Sequence, residues 1–403
     1  MESVKWSDLP KELWPIIGKF LHTRIDVLRF RSVCSLWRSS RPPFERPRPP
    51  PPLPLKFSSD GDGDGEAKNQ ALLFQSTTYR MESLIDYPSG SQSKPCSKRW
   101  LLKLEEDPDS GKMRIVHPVT NWPFRYPYSP NATPKEFNLL DFRVVELRKS
   151  YGLKYGKNNA TLNSVHKLVV MPCNHLDFGD ECVIFMLYNQ GKLGFVRFGD
   201  EKLTRLDEQN SHYDDMIVYK GQCYVVDKWG IISWVSSALQ VIQFSPPLCG
   251  LGGQKHLVES CGELYVVDQY FERVSVCNHN ELGMVRNQNR DLDDELIFGH
   301  YHYLHFDVDA IDFKVYKLDQ EWGKWVDVKD LGDQVFILSN DGSFSVSTTE
   351  YAGAKGNCIF FIERLSMTKS IGRVFNLEDG RIRTLASLGS SQMVQPPPAW
   401  CSF

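Results

Sequence analysis

A repeat of about forty residues constrains the fold of this chain more than any other feature. Three similar segments, 180–186, 221–227 and 262–268, begin 41 residues apart. Each is rich in the β-branched and aromatic residues that favour strands, and each is followed by a turn and another strand-like run. Weaker copies of the pattern occur at 100–104, 335–338 and 358–361. A period near forty residues with several strands per unit is typical of the blades of a β-propeller.

The repeat lies in a long β-rich segment, residues 69–403. At this period its roughly 335 residues hold about six to eight units, so the sequence predicts an all-β domain with that number of blades. The alternative is a β domain of another kind in which the similarity between the segments is accidental.

The first part of the chain, residues 5–41, has helical periodicity instead. Pro10 suits a first helical position. An apolar stripe follows at positions 9, 13, 16, 17, 20 and 21, which lie on one face of a helix. Pro15 either kinks a continuous helix from Pro10, because an interior proline removes a hydrogen bond, or starts a second turn after a short first one. Asp26 is a suitable N-cap for a second helix. Some forty residues cannot bury this much apolar surface alone, so the segment needs a partner.

The two parts are joined by a predicted linker, residues 42–68. Its proline tract favours an extended polyproline II spacer, and the glycine- and aspartate-rich stretch after it favours a flexible tether. Asp60, Asp62 and Asp64 imitate the start of a calcium-binding EF-hand loop, but Ala71 occupies the position that requires a glutamate. We therefore interpret the stretch as a solvated linker.

Charge and cysteine usage limit the partners and the compartment. The formal net charge is −3, which gives no basic field for nucleic acid or an anionic membrane. The longest apolar run, 182–188, is far too short to cross a bilayer. The ten cysteines include no CxxC pair, and Cys182, Cys223 and Cys358 lie in apolar runs where a free thiol acts as a small hydrophobe. We expect a soluble protein of the nucleus or cytoplasm.

Two halves of a pattern in the helical segment resemble the F-box. Leu9-Pro10 with Leu13 opens the first half, and Val33-Cys34 with Trp37 closes the second. In the F-box family these helices bind the Skp adaptor of a cullin ubiquitin ligase. The resemblance therefore implies adaptor-binding residues at Leu9, Pro10, Leu13, Ile16, Ile17, Leu28, Val33, Cys34 and Trp37.

The β-rich segment resembles the C-terminal domain of a large plant F-box family, a domain of unknown function that is often compared with kelch propellers. The similar segments are 138–147, 313–318, 325–332, 343–346 and 355–358. The resemblance implies a small all-α F-box module followed by an all-β domain, a kelch-like β-propeller.

These resemblances imply the substrate-recognition subunit of an SCF-type (Skp adaptor–cullin–F-box) ubiquitin ligase. Such a chain is not an enzyme: it binds the Skp-type adaptor, through it the cullin and RING subunits, and a target protein that the sequence does not identify. No cofactor is expected. Two alternatives stay open, namely a propeller that binds or hydrolyses carbohydrate, and an F-box protein that acts without degradation of a target.

Motifs for bond chemistry are missing: the chain has no GxxxxGK[ST], GxSxG or HExxH. His300, His302 and His305 with Asp307 form a metal-like cluster, but alternation along a strand would separate them, so polar loop histidines are favoured over a zinc site.

An aromatic loop is a candidate target-binding site, although packing between two blades explains it as well. Its residues are Trp122, Phe124, Arg125, Tyr126 and Tyr128.

Overall fold

The computed structural model describes residues 9–21, 23–44, 53–54, 70–84, 99–108, 110–122, 141–155, 160–161, 165–171, 182–189, 191–197, 200, 202–210, 212–248, 250–273, 308–351, 354–366, 369–385 and 391–394. These ranges contain a short helical module, residues 9–44, and five β-sheets. None of the helices within them is long and apolar enough to span a membrane.

The helical module consists of α1 (Leu13–Lys19), α2 (Arg24–Val33) and α3 (Ser35–Ser40). The prediction that Pro10 begins the first helix is wrong, since α1 begins at Leu13. Pro15 therefore lies in the first turn, where a backbone N–H has no partner within the helix, and its missing donor costs no helical hydrogen bond. Thr23, rather than Asp26, is the N-cap of α2, and its Oγ1 accepts a hydrogen bond of 3.1 Å from Asp26 N.

The first blade has six strands, in the order β4-β3-β2-β5-β6 with β1 paired to β2. They are β1 (Leu53–Pro54), β2 (Gln70–Ser83), β3 (Arg99–Glu106), β4 (Met113–Val116), β5 (Phe142–Tyr155) and β6 (Ala160–Thr161). The second blade is β7 (Val165–Met171), β8 (Val183–Tyr188), β9 (Lys192–Arg197) and β10 (Thr204–Arg205). The third is β11 (Tyr213–Tyr219), β12 (Gln222–Asp227), β13 (Ile232–Val235) and β14 (Val241–Gln243).

The fourth blade is β15 (Gln254–Ser260), β16 (Glu263–Arg273), β17 (Val308–Asp319) and β18 (Lys324–Val328). The fifth is β19 (Gln334–Ile337), β20 (Phe344–Ser347), β21 (Cys358–Ser366), β22 (Lys369–Asn376) and β23 (Arg381–Thr384), in the order β20-β19-β21-β22-β23. A short helix, α4 (Ser391–Val394), follows and packs on β3 of the first blade.

The all-β propeller predicted from the repeat is confirmed. The three repeated segments coincide with β8, β12 and β16, the second strands of the second, third and fourth blades. In two of them the turn before the strand has positive φ at both central residues, Lys220-Gly221 and Cys261-Gly262. Such two-residue turns match the twist of a hairpin, and glycine adopts the second position without strain.

The prediction of six to eight blades is wrong, because the described residues form five sheets. The period of 41 residues holds only in the middle of the chain. The first blade extends over residues 53–161 and the fourth over residues 254–328, so both contain much more chain than the repeat predicts. The prediction divided the length of the β-rich segment by the period of the repeat, and it therefore counted the long connections within these two blades as additional blades.

Apolar side chains between neighbouring blades form the core. One cluster joins the first three blades, a second joins the third and fourth, and a third joins the fourth and fifth. The ring closes where Leu101 and Val119 of the first blade pack with Val335 and Phe360 of the fifth and with Met393 of α4. No strand is shared between the first and fifth blades among the described sheets, so side chains alone hold this seam.

Buried charges also join the blades. Lys167 of the second blade pairs with Asp215 of the third, and Asp215 Oδ2 accepts a hydrogen bond of 2.8 Å from Leu257 N of the fourth. At the seam, Lys103 pairs with Asp341. Burial alone would raise the pKa of Asp341, but Lys103 and Arg148 outweigh it and hold that pKa below its usual range.

One strand of the propeller lies in the segment that the sequence predicts as linker. In β1, Leu53 pairs with Ala71 of β2. Its side chain is only 1% exposed and belongs to the cluster that joins the first three blades. The proline tract therefore ends in the propeller itself, and the first strand begins at Leu53 rather than after residue 69.

Candidate functional site

Aromatic side chains fill the interior of the helical module. Trp14 of α1 is 1% exposed, and its ring centroid lies 4.3 Å from that of Trp37 in α3. Trp37 also lies 4.7 Å from Phe30 of α2, while Val27 is completely buried. These contacts link all three helices into one small core.

The junction between α2 and α3 is fixed by hydrogen bonds from two arginine side chains to backbone carbonyl groups. Cys34 has an extended backbone, φ −162°, which ends α2 and caps α3. Arg31 Nη1 donates to Arg38 O at 2.8 Å, and Arg38 Nε donates to Arg31 O at 3.1 Å. Carbonyl oxygens near the two helix ends thereby gain partners, and the angle between the helices is held.

Outside this core the module has an unusual number of exposed apolar side chains. They are Leu13, Ile16, Phe20, Leu28, Val33 and Leu36, with exposures between 37% and 73%. Single exposed hydrophobic residues are ordinary, but six on three short helices indicate a surface that another molecule covers. We call these six residues the docking face.

All nine residues predicted to bind an adaptor remain accessible. Pro10, Leu13, Ile16, Leu28, Val33 and Cys34 are exposed, while Leu9, Ile17 and Trp37 are half-buried. Because Trp37 packs on Trp14 and Phe30, it also supports the fold of the module. Nothing in the structure tests contact with an adaptor, and that role stays a prediction.

Sequence reasoning missed two members of the docking face, Phe20 and Leu36. Phe20 is 73% exposed and Leu36 is 37% exposed. The helical stripe already included position 20, and the end of α1 at Lys19 explains why its side chain projects into solvent. Leu36 lies between Ser35 and Trp37 in the segment that resembles the F-box, but it was not among the residues predicted to bind the adaptor.

The module lies against the first blade. Arg24 Nη1 of α2 is 3.7 Å from Glu106 Oε1 of β3, with both side chains about one-third exposed. A pair of this kind contributes about 1 kcal/mol or less. The contact leaves the docking face free, since none of its six residues belongs to the clusters of the propeller core.

Two propeller loops also present large apolar side chains. Trp229 follows β12 and is 61% exposed, and Leu251 precedes β15 and is 92% exposed. The loops touch, because Leu248 N donates to Trp229 O at 3.0 Å. Neither residue was among the predicted site residues, although the segment Lys228-Trp229-Gly230 places a tryptophan between two turn signals.

The glycine run around Leu251 is shaped by a buried ion pair. Lys255 Nζ lies 2.9 Å from Asp268 Oδ1, and both side chains are almost completely buried. Gly252 N donates to the same carboxylate at 3.1 Å. A Cβ on Gly252 would meet Asp268 Oδ1 at 2.1 Å. The loop therefore needs glycine beside the carboxylate and presents Leu251 at its tip.

Known proteins resemble the chain over almost its full length. The Arabidopsis thaliana protein named Putative F-box protein At1g65770 is 30% identical over 93% of this chain and 92% of its own length. F-box protein SKIP23 of the same plant is 29% identical over 98% of this chain and 95% of its own length. The family model of the KIB1-4 beta-propeller matches residues 73–376. The chain belongs to the plant F-box proteins of the KIB1-4 beta-propeller family.

The matched model does not test the comparison with kelch propellers, so the kelch-like type of this F-box protein stays a prediction. The F-box proteins that match are similar across the helical module as well as the blades, since the alignments cover 93% and 98% of the chain. The exposed docking face thus lies in a segment that is shared with these F-box proteins, and its assignment as the F-box itself stays a prediction.

The predicted target-binding loop of this F-box protein is described only at its beginning. Trp122 is 41% exposed, and the preceding Asn121 donates to Asp341 Oδ1 at 3.1 Å across the seam. Phe124, Arg125, Tyr126 and Tyr128 lie outside the described residues. Target binding by the loop stays a prediction.

Cys182, Cys223 and Cys358 are buried in apolar clusters, as predicted from the apolar runs in which they lie. Burial raises the pKa of the Cys358 thiol to about 11. The histidine cluster at positions 300, 302 and 305, with Asp307, lies outside the described residues. Within the described part of the chain, no group of three metal-ligating side chains comes together.

Proposed function

We propose that this F-box protein is a target receptor of an SCF-type ubiquitin ligase. The docking face binds a Skp-type adaptor, and the propeller holds the target protein. One observation carries the proposal: six large apolar side chains remain exposed on a module whose own aromatic core is already complete. The names of the related F-box proteins support it. In this role the chain does no bond chemistry, because it supplies proximity between the target and the transferring subunits.

Substitutions in the docking face test adaptor binding without disturbing the fold. Ile16 and Val33 are 50% and 46% exposed, so Ile16→Ser combined with Val33→Ser should leave the melting temperature unchanged. Affinity for a Skp adaptor, measured by titration calorimetry on the full chain, should fall by about 2 kcal/mol or more, as for interface hot spots.

A matched control uses apolar residues that are equally exposed on the propeller. Ile242 and Val326 are 39% and 48% exposed, and Ile242→Ser combined with Val326→Ser should bind the adaptor as the wild type does. Equal affinity of the wild type and the docking-face variant would contradict the proposal. Trp37→Ala is a poor test, since loss of its ring contacts would also weaken the module.

Target recognition belongs to loops of the propeller in this proposal. The sequence predicts the loop that begins at Trp122, and the structure adds Trp229 and Leu251 as exposed apolar positions. Exposed aromatic side chains on loops over a rigid sheet are frequent binding anchors. Affinity purification under proteasome inhibition would compare Trp122→Ser with Trp229→Ser/Leu251→Ser. Proteins lost with one variant and kept with the other identify the target-binding loop.

The same purification separates degradation from simple adaptor function. If the target is degraded, its level should rise in cells that express the docking-face variant, because that variant still binds the target but cannot bring it to the ligase. An unchanged level together with intact target binding favours an F-box protein that acts without degradation.

A further inference from the structure

A cavity of about 430 Å³ lies at the centre of the propeller. Its wall comes from all five blades, since the strands β5, β7, β11, β15 and β20 each contribute residues. Volumes of this order suit small-molecule ligands. The adaptor and target roles proposed above make no use of it.

Arg148 is the principal cation of the cavity wall. Its Nη1 donates to Ser343 O and its Nη2 donates to Asp341 O, both at 3.2 Å. Among the described residues, no carboxylate oxygen lies within ion-pair distance of this guanidinium. Burial lowers the pKa of Arg148, while Asp341 and Asp215 oppose that shift. The guanidinium of this half-buried side chain is thus bonded to neutral carbonyl groups.

The carboxylate groups in the cavity wall do not form an ion pair with Arg148. Asp341 is already bound by Lys103, by Ser150 Oγ at 2.6 Å and by Asn121 Nδ2 at 3.1 Å. Glu259 is exposed. A charge-assisted partner for Arg148 therefore has to come from outside the described chain.

A buried hydroxyl lies on the same wall. Ser343 is 2% exposed, and among the described residues its Oγ has no hydrogen-bond partner. A buried polar atom without a partner costs about 1–3 kcal/mol, so such atoms are rare. The residue before Ser343, Gly342, leaves room for the Arg148 side chain, because a Cβ on Gly342 would lie 1.7 Å from Arg148 Nη2.

Another part of the wall is apolar. Leu168, Val170 and Ile217 line it from the second and third blades, and Phe344 packs under Arg148 with 5.7 Å between the guanidinium carbon and the ring centroid. An apolar wall with a few converging polar groups is the usual composition of a ligand site.

We propose that the central cavity binds a small organic anion, with its acidic group at Arg148 and Ser343 and its apolar body against Leu168, Val170 and Ile217. The acidic group is a carboxylate or a phosphate monoester. Arg148 belongs to the first blade and Ser343 to the fifth, so the ligand bridges the seam. Binding should therefore raise the melting temperature, because only the closed ring has the site.

The test uses the purified full chain and three simple probes: benzoate, phenyl phosphate and the neutral benzamide. Calorimetric titration and the melting temperature are measured for each probe. We expect saturable binding of benzoate or phenyl phosphate with a raised melting temperature, and binding of benzamide at least tenfold weaker, about 1.4 kcal/mol. Phenyl phosphate against benzoate distinguishes the two acidic groups.

Two variants locate the site. Ser343→Ala removes a hydroxyl that has no partner among the described residues, so the fold should be kept while affinity for the anionic probe falls severalfold. Arg148→Gln should abolish binding, whereas Arg383→Gln, at an exposed ion pair of the fifth blade, should not change it. The proposal is overturned if neither anion binds saturably, if benzamide binds as tightly as benzoate, or if Ser343→Ala retains full affinity in a folded chain.

Discussion

At the scale of single residues, His117 should make the stability of the propeller depend on pH. Its Nδ1 accepts hydrogen bonds from Val119 N and Thr120 N at 3.2 and 3.3 Å, which requires an unprotonated nitrogen. Burial lowers the pKa of His117 from 6.5 to about 4. Between these values the unfolded chain binds the proton and the folded chain does not, so stability rises with pH across this window and falls as the solution is acidified.

The substitution His117→Asn isolates this effect, because the amide oxygen can accept the same two hydrogen bonds but does not titrate. Between pH 6.5 and 4, the free energy of unfolding of the wild type should fall more steeply than that of the variant, by up to about 1.4 kcal/mol per pH unit. Urea denaturation at several pH values measures both slopes. Parallel slopes would contradict the assignment.

A second residue-scale prediction concerns the glycine loop beside Asp268. Gly252→Ala places a methyl group against the buried carboxylate, which cannot withdraw without breaking its pair with Lys255. We expect a loss of about 1–3 kcal/mol, as for overpacked cores. Pro43→Ala, at an exposed position outside the propeller sheets, serves as the control and should change the unfolding free energy of the propeller much less. The midpoint of urea denaturation would compare the two.

The sequence predicted the exposed residues of the F-box module better than the internal ones. Helical spacing identified Leu13 and Ile16, but it did not show that Trp14 and Trp37 form the core, because both lie beside the stripe rather than in it. Which face of a short helix points inward depends on the crossing of three helices, and periodicity within one helix does not contain that information.

At the scale of elements, the two-residue strand β1 should matter more than its length suggests. Leu53→Ala removes a side chain that is buried among three blades and should cost about 2–5 kcal/mol. Leu251→Ala, which truncates the same side chain at a position that is 92% exposed, should stay within about 0.5 kcal/mol. Denaturation midpoints of the full chain measure both values, and similar losses would exclude the packing role of β1.

This strand also changes where the propeller can be cut from the F-box module. A fragment that begins at residue 69 lacks Leu53 and exposes the apolar surface that covers it, so it should melt below a fragment that begins at residue 45. The composition of the tract concealed this strand, since prolines are rare in sheets and the alternation of Leu53 with Leu55 is hidden among them.

Strand prediction succeeded where turn chemistry and hydrophobic pattern agreed. At β12 and β16 a glycine with positive φ precedes a run of apolar residues, and both features are visible in the sequence. The parallel pairing of β19 with β21 was not predictable in this way. The chain forms β20 before it reaches β21, so the pairing depends on contacts between residues that are distant in sequence.

At the scale of the whole molecule, removal of the fifth blade should destroy the ring. Truncation after residue 330 exposes the apolar surfaces of the first and fourth blades that the fifth now covers. We expect an insoluble fragment rather than a smaller stable domain, with solubility and cooperative melting as the measurements. A soluble 45–330 fragment with a single sharp transition would show that the blades are stable without closure.

The seam between the first and fifth blades has a consequence for synthesis on the ribosome. Leu101 and Val119 are made early, whereas the residues that cover them, from Val335 to Val394, are made last. At about 5–20 residues per second, the nascent first blade waits for roughly ten to fifty seconds with this surface uncovered. During that interval the apolar surface can be bound by chaperones, and we expect chains released before the fifth blade is made to aggregate through it.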